Sequence, residues 1–138
     1  MWKLYAILAA IFASLTAITA KIGIKGIDSN LATAIRTLVV LVLAWGIVYI
    51  SGAHKGITDL NKTNWLFLII SGLATGLSWL FYFKAIQLGE VSKVAPIDKF
   101  SIVLTILLSF LILQEKITLA TLIGGGFITI GTFILLLA

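Results

Sequence analysis

The chain has 138 residues, 61% of them hydrophobic and 11% charged, with no cysteine and a mean hydropathy of +1.19. A soluble domain is about half apolar and about a quarter charged, so this composition excludes a soluble enzyme. The net charge of +5 comes from basic residues scattered singly, which leaves no basic patch for a nucleic acid, and without cysteine there is no disulfide, thiolate nucleophile or Cys-ligated metal.

A bilayer core about 30 Å thick calls for roughly 20 apolar residues per spanning helix. The charge-free runs 4–20, 37–53, 63–83, 100–114 and 117–138 predict five spans, at about 3–22, 31–51, 64–87, 94–114 and 118–137. The first run is longer than the roughly 7–15 apolar residues of a secretory signal and is read as a span. None of the runs alternates as a membrane β-strand does. The expected fold is an all-α integral membrane protein whose solvent is the lipid bilayer, with no separate soluble domain.

Turn chemistry sets the boundaries. Gly26 to Asn30 separates the first two spans, with Ser29 or Asn30 as the cap of the second. Ser51-Gly52 closes the second span, and Asn61 to Asn64 opens the third, with Trp65 at interface level. Gln87-Leu88-Gly89 closes the third. The run 100–114 is only about 22 Å long as a helix, so the fourth span extends back to Pro96. Proline is tolerated in a first helical turn, and Asp98 then lies where the positive end of the helix dipole favours a carboxylate. Gln114-Glu115-Lys116 turns the fourth span into the fifth.

Five spans place the ends of the chain on opposite sides. The N-terminal side carries Lys3, Lys55, Lys62 and Lys116; the other carries Lys21, Lys25 and Lys93, with Arg36, Lys84 and Lys99 deeper. Orientation follows Lys/Arg bias in short loops, and this balance is what a chain inserting both ways would have. Arg36, Lys84, Asp98 and Lys99 are embedded charges, which are functional candidates by default. Asp98 is the acid of the set, with Arg36, Lys84 and Lys99 as its candidate partners. Polar stripes lead inward: Ser71, Thr75, Ser78 and Tyr82 beside Trp79; Asp98, Ser101, Thr105 and Ser109; and Thr118, Thr121, Thr129 and Thr132. They predict a mildly polar passage, against the plainer reading that each hydroxyl bonds its own backbone.

Small residues predict close helix contacts: Ala6, Ala10, Ala13 and Ala17 on the first span, Gly72 and Gly76 on the third, and Ala120, Gly124 and Gly131 on the fifth. No catalytic constellation is evident. His54 has no companion ligand, and Gly124-Gly125-Gly126 is not followed by a phosphate-binding lysine. No enzyme activity, metal or cofactor is expected.

The run Gly89-Glu90-Val91-Ser92-Lys93-Val94-Ala95-Pro96, the turn Leu113-Gln114-Glu115-Lys116-Ile117-Thr118, and the pattern Ile123-Gly124 to Ile130-Gly131-Thr132 resemble the EamA domain of the drug/metabolite transporter superfamily. Ser78-Trp79-Leu80-Phe81-Tyr82-Phe83-Lys84-Ala85 resembles that family's third helix. Gln114 stands where the family usually has glycine, and a second proline often found in the fourth helix is missing. The resemblance implies a small-molecule transporter, metabolite or drug-like, in a prokaryotic plasma (inner) membrane. Two chains would pair antiparallel as a dual-topology homodimer working by alternating access, with Ala120, Gly124 and Gly131 at the interface. Trp79 and Tyr82 would contact an amphipathic substrate, Arg36 or Lys84 would hold an anionic group, and Asp98 would organise those cations or couple transport. Ser78, Ser101 and Thr105 complete the expected substrate site. A lipid-phosphate flippase and a non-transporting structural subunit are the alternatives. The first span has no acid, so cation–proton antiport through a first-helix glutamate is not expected.

Overall fold

A computed structural model describes residues 1–137, and every regular element among them is helical. α1 (Trp2–Gly23), α2 (Ser29–Ile50) and α3 (Lys62–Leu88) are continuous helices. The fourth span is split into α4 (Val91–Asp98) and α5 (Ser101–Leu113), and α6 (Leu119–Leu137) follows. These elements supply five stretches long and apolar enough to cross a membrane. Their large apolar side chains face outward: Leu38 is 61% exposed, Phe67 64% and Phe127 71%. In water that surface would be a liability. In lipid it is the solvated face, and helices satisfy their own backbone polar groups there.

The chain groups into two compact units, one of residues 19–87 and one of residues 1–18 with 88–137. In the first unit α2 is capped by Asp28, not by Ser29 or Asn30. Asp28 has the extended backbone of a cap residue (φ −65°, ψ 138°), and its carboxylate accepts the N–H groups of Asn30 at 2.8 Å and Leu31 at 3.2 Å. Gly52, at φ 74°, makes the left-handed turn after α2 that glycine adopts without a Cβ penalty. The connector to α3 contains a 3-10 helix, Ala53–Asp59, and the His54 ring stacks on Tyr49 at 5.0 Å. Asn61 opens α3 by accepting the Asn64 N–H at 2.8 Å.

The other end of α3 is tied down by polar groups from the chain before it. Ile86 is one of the last four residues of α3, whose carbonyls have no intrahelical donor; the Lys21 ammonium donates to it. The Gln87 side-chain amide donates to the Ile27 carbonyl at 2.8 Å. Ile24, Phe83 and Ile86 are the buried apolar residues here, at 3%, 3% and 0% exposure.

In the second unit α4 and α5 both pack against α6. The fourth span begins at Val91 rather than at 94, so Pro96 is inside α4 and not in its first turn. Proline has no N–H for the carbonyl four residues before it. The chain then tightens to three-residue bonds: Lys99 N–H to the Pro96 carbonyl, Phe100 to Ile97, Ile102 to Lys99 and Val103 to Phe100, each at 3.0 Å. This splits the helix, and Phe100 at the break meets Phe133 edge-on at 6.3 Å. Asp98 therefore ends α4 instead of starting the span, and the expected dipole stabilisation at a helix start does not apply to it.

α5 ends on Gln114, whose φ of 57° and ψ of 28° are left-handed. Its side-chain amide donates to the Leu111 carbonyl at 3.1 Å on the exposed surface. Glycine takes this conformation freely, whereas a residue with a Cβ is strained. Gln114→Gly is expected to raise unfolding stability by about 0.5–1 kcal/mol, net of the lost amide bond. Denaturant unfolding in detergent micelles checks this, and an unchanged or lower midpoint contradicts it.

Candidate functional site

Arg36 is the eighth residue of α2, about 10 Å along the axis from its start. Its guanidinium carbon lies 4.3 Å from the centre of the Trp79 ring and 5.2 Å from that of Phe83. Trp79 and Phe83 are four residues apart and so share one face of α3. They sit roughly 13 and 7 Å from the end of that helix. The guanidinium therefore rests on rings set well inside α3, whereas a cation in a membrane helix usually extends along its stem to the interface. Tyr82 lies within electrostatic reach of it.

Rings alone do not settle this charge. A cation over an aromatic face gains about 0.5–2 kcal/mol, whereas an arginine at the centre of a spanning helix costs roughly 2.5–3.5 kcal/mol to insert. In residues 19–87 the acids are Asp28 and Asp59. Asp28 is occupied as the cap of α2, and Asp59 closes the 3-10 helix beyond the opposite end of α2. Arg36 makes no ion pair among the described residues. Its planar edge, with donors spread over three nitrogens, remains available to an acceptor from outside the chain.

The other expected site residues divide. Lys84 does not join Arg36; its ammonium meets the Gln87 side-chain oxygen at 3.5 Å. Ser78 is exposed and about 100° round α3 from its neighbour Trp79. Asp98 pairs with Lys99 at 3.3 Å, and the two side chains are 34% and 53% exposed. Of the three cations that could partner Asp98, its sequence neighbour is thus the one that does. Thr105 turns to its own helix, its hydroxyl donating to the Ser101 backbone carbonyl at 2.8 Å. The same inward bonding engages Thr75 with Ser71, Ser109 with Ile106 and Thr129 with Gly125. At these positions the plainer reading of the polar stripes holds.

The glycines of α3 and α6 are also informative. Beyond its own helix turn, a Cβ at Gly72, Gly76, Gly124 or Gly131 would meet no heavy atom within 4 Å among the described residues. Gly72 and Gly76 therefore do not mark a close helix contact among the described residues, as their spacing had suggested. Gly125 does: it is buried, and its Cβ would lie 3.4 Å from Ile106 Cδ1 of α5. α6 thus turns Gly125 toward α5, while Gly124 and Gly131 are exposed.

Sequence reasoning missed Phe83, Lys21 and Gln87. Phe83 was legible, because it stands one turn from Trp79 on the same face. The other two were not, because each meets a backbone carbonyl rather than a side chain with a recognisable pattern.

The family model described as the EamA-like transporter family matches residues 1–137. A protein from Sinorhizobium sp named "Uncharacterized transporter in cobO 3'region" is 45% identical over 134 residues, covering 97% of this chain and 95% of that relative. No solved structure matches the chain.

Proposed function

Because this chain belongs to the EamA-like transporter family, we propose that it carries a small molecule across the membrane as an antiparallel, dual-topology homodimer working by alternating access. One observation carries the substrate site: Arg36, inside a span, lies on Trp79 and Phe83 and makes no ion pair among the described residues. An ionisable group kept at such depth marks a ligand path. The Sinorhizobium relative is spanned to 95% by the same segment, which supports two copies, rather than two fused domains, forming the working unit. The balanced lysines and the outward glycines of α6 support the same arrangement. The flippase reading has less support, since Lys84 turns to Gln87 instead of adding a second cation beside Arg36.

Two measurements test this reading. Proteoliposomes loaded with a mixture of cell metabolites should lose at least one small molecule that protein-free liposomes retain. The chain has no cysteine, so Gly56→Cys creates a single labelling site in the α2–α3 connector. Impermeant thiol reagents should reach it from both sides of the membrane. Labelling from one side would rule out dual topology, and full retention of every metabolite would rule out transport.

A further inference from the structure

We infer that Arg36 is the receptor for a carboxylate, and that the ligand is a monoanion with an apolar body; this rests on the substrate-site reading above. Trp79 at 4.3 Å and Phe83 at 5.2 Å offer the guanidinium ring faces, which attract a cation but do not accept its in-plane N–H bonds as an oxygen does. The donors at the edge are therefore left for a partner. Two parallel N–H groups of a guanidinium match the two oxygens of a carboxylate, a fork that an ammonium cannot reproduce.

Charge counting separates a carboxylate from a phosphate. A phosphate monoester near neutral pH carries between one and two negative charges, and a buried dianion calls for a second cation. Lys84 is the nearest basic residue along α3, but it lies five residues from Trp79, about 140° round the helix, with its ammonium at Gln87. One guanidinium matches one negative charge. An ammonium ligand is disfavoured, because Arg36 repels a cation and makes no ion pair among the described residues that could offset this.

The apolar body follows from the same face of α3. Gly76 and Gly72 lie three and seven residues before Trp79 and share its face. The space over both is open. Thr75, beside them, has its hydroxyl on the Ser71 carbonyl. What this stretch offers a ligand is room and hydrocarbon.

The test uses Trp79 as the reporter. In full-length protein carrying Trp2→Phe, Trp45→Phe and Trp65→Phe, the indole beside Arg36 is the remaining tryptophan. Benzoate, phenyl phosphate and benzylammonium share an aromatic body and differ in the charged head. Benzoate should change Trp79 emission saturably, with phenyl phosphate weaker and benzylammonium silent. Arg36→Lys, which keeps the charge and loses the fork, should weaken benzoate about tenfold or more, and Arg36→Gln should abolish the response, with the helical circular dichroism of Arg36→Lys unchanged. Tighter binding of phenyl phosphate would assign the site to phosphate and overturn the inference. So would a benzylammonium response, equal benzoate affinity in Arg36→Lys, or no saturable benzoate response up to its solubility. Metabolite efflux that persists while benzoate fails overturns the carboxylate assignment alone; benzoate binding without any efflux overturns the transporter reading alone.

Discussion

Gly131→Leu is expected to separate the two protomers of the proposed homodimer while leaving each of them folded. Gly124 and Gly131 are seven residues apart on α6, about 10 Å along the axis and nearly on one line. Ala120 continues that line one turn earlier. Among the described residues, and apart from the backbone of its own helix turn, nothing lies within 4 Å of a Cβ at either glycine, so a leucine there meets no packed neighbour at the Cβ. In a helix interior leucine is intrinsically better than glycine by nearly 1 kcal/mol, which favours the folded protomer. Between protomers the effect reverses. Small residues let membrane helices approach until their backbones touch, and a leucine holds them apart. The dimer dissociation constant should rise tenfold or more, equivalent to about 1.4 kcal/mol. Gly124→Leu should act likewise. Gly125→Leu supplies the contrast: its Cβ starts 3.4 Å from Ile106 Cδ1, so the added carbons overpack the α5–α6 contact at about 1–3 kcal/mol of folding stability. Energy transfer between labelled protomers in bicelles, read beside unfolding curves, separates these effects. An unaltered dimer fraction in both outward variants would remove α6 from the interface.

The second large effect is expected at Lys21, and it should exceed that of the acid inside the fourth span. Lys21 donates to a carbonyl in the last turn of α3, at a residue that is 0% exposed. A hydrogen bond from a charged donor contributes about 1.5–3 kcal/mol. Lys21→Met keeps most of the apolar stem but loses that donor. Stability should fall by about 2 kcal/mol. Asp98 and Lys99 are adjacent in sequence and partly exposed, and such pairs contribute about 0–1 kcal/mol. Asp98→Asn should therefore cost less than Lys21→Met, and adding Lys99→Gln should recover little because there is little to recover. Steel-clear evidence against this ranking would be Asp98→Asn unfolding at lower denaturant than Lys21→Met. Recovery of yield on adding Lys99→Gln would likewise mean that the pair matters more than its exposure implies.

The five spans were legible because hydropathy and length are properties of whole segments. The break in the fourth was not. Pro96 fits both a first turn and a helix interior, and the polar run Glu90 to Lys93 resembles a connector, so the register is fixed only by the backbone bonds around Lys99 and Phe100. Arg36 was legible as an embedded charge, but charge counting looks for an acid and finds Asp98. The partners that Arg36 has within its own unit are rings. Periodicity placed Thr75 and Thr105 on polar stripes correctly, yet it cannot tell a hydroxyl facing a passage from one donating to the carbonyl four residues back. Glycine spacing likewise gave Gly124 and Gly131 a shared face, while Gly125, which makes the contact with α5, has no periodic partner to announce it.

The Arg36–Trp79 contact also bears on how the protein enters the membrane. Synthesis delivers α2 before α3, so Arg36 leaves the ribosome while both of its rings are still unmade. During that interval α2 is a helix with a charge about a third of the way across and nothing to shelter it. It is then best held at the insertion machinery, or at the bilayer surface, until α3 arrives and the two enter as a hairpin. Loss of Trp79 and Phe83 would on this account first be felt in the ribosome-bound chain, as misplaced helices, ahead of any defect in the finished protein.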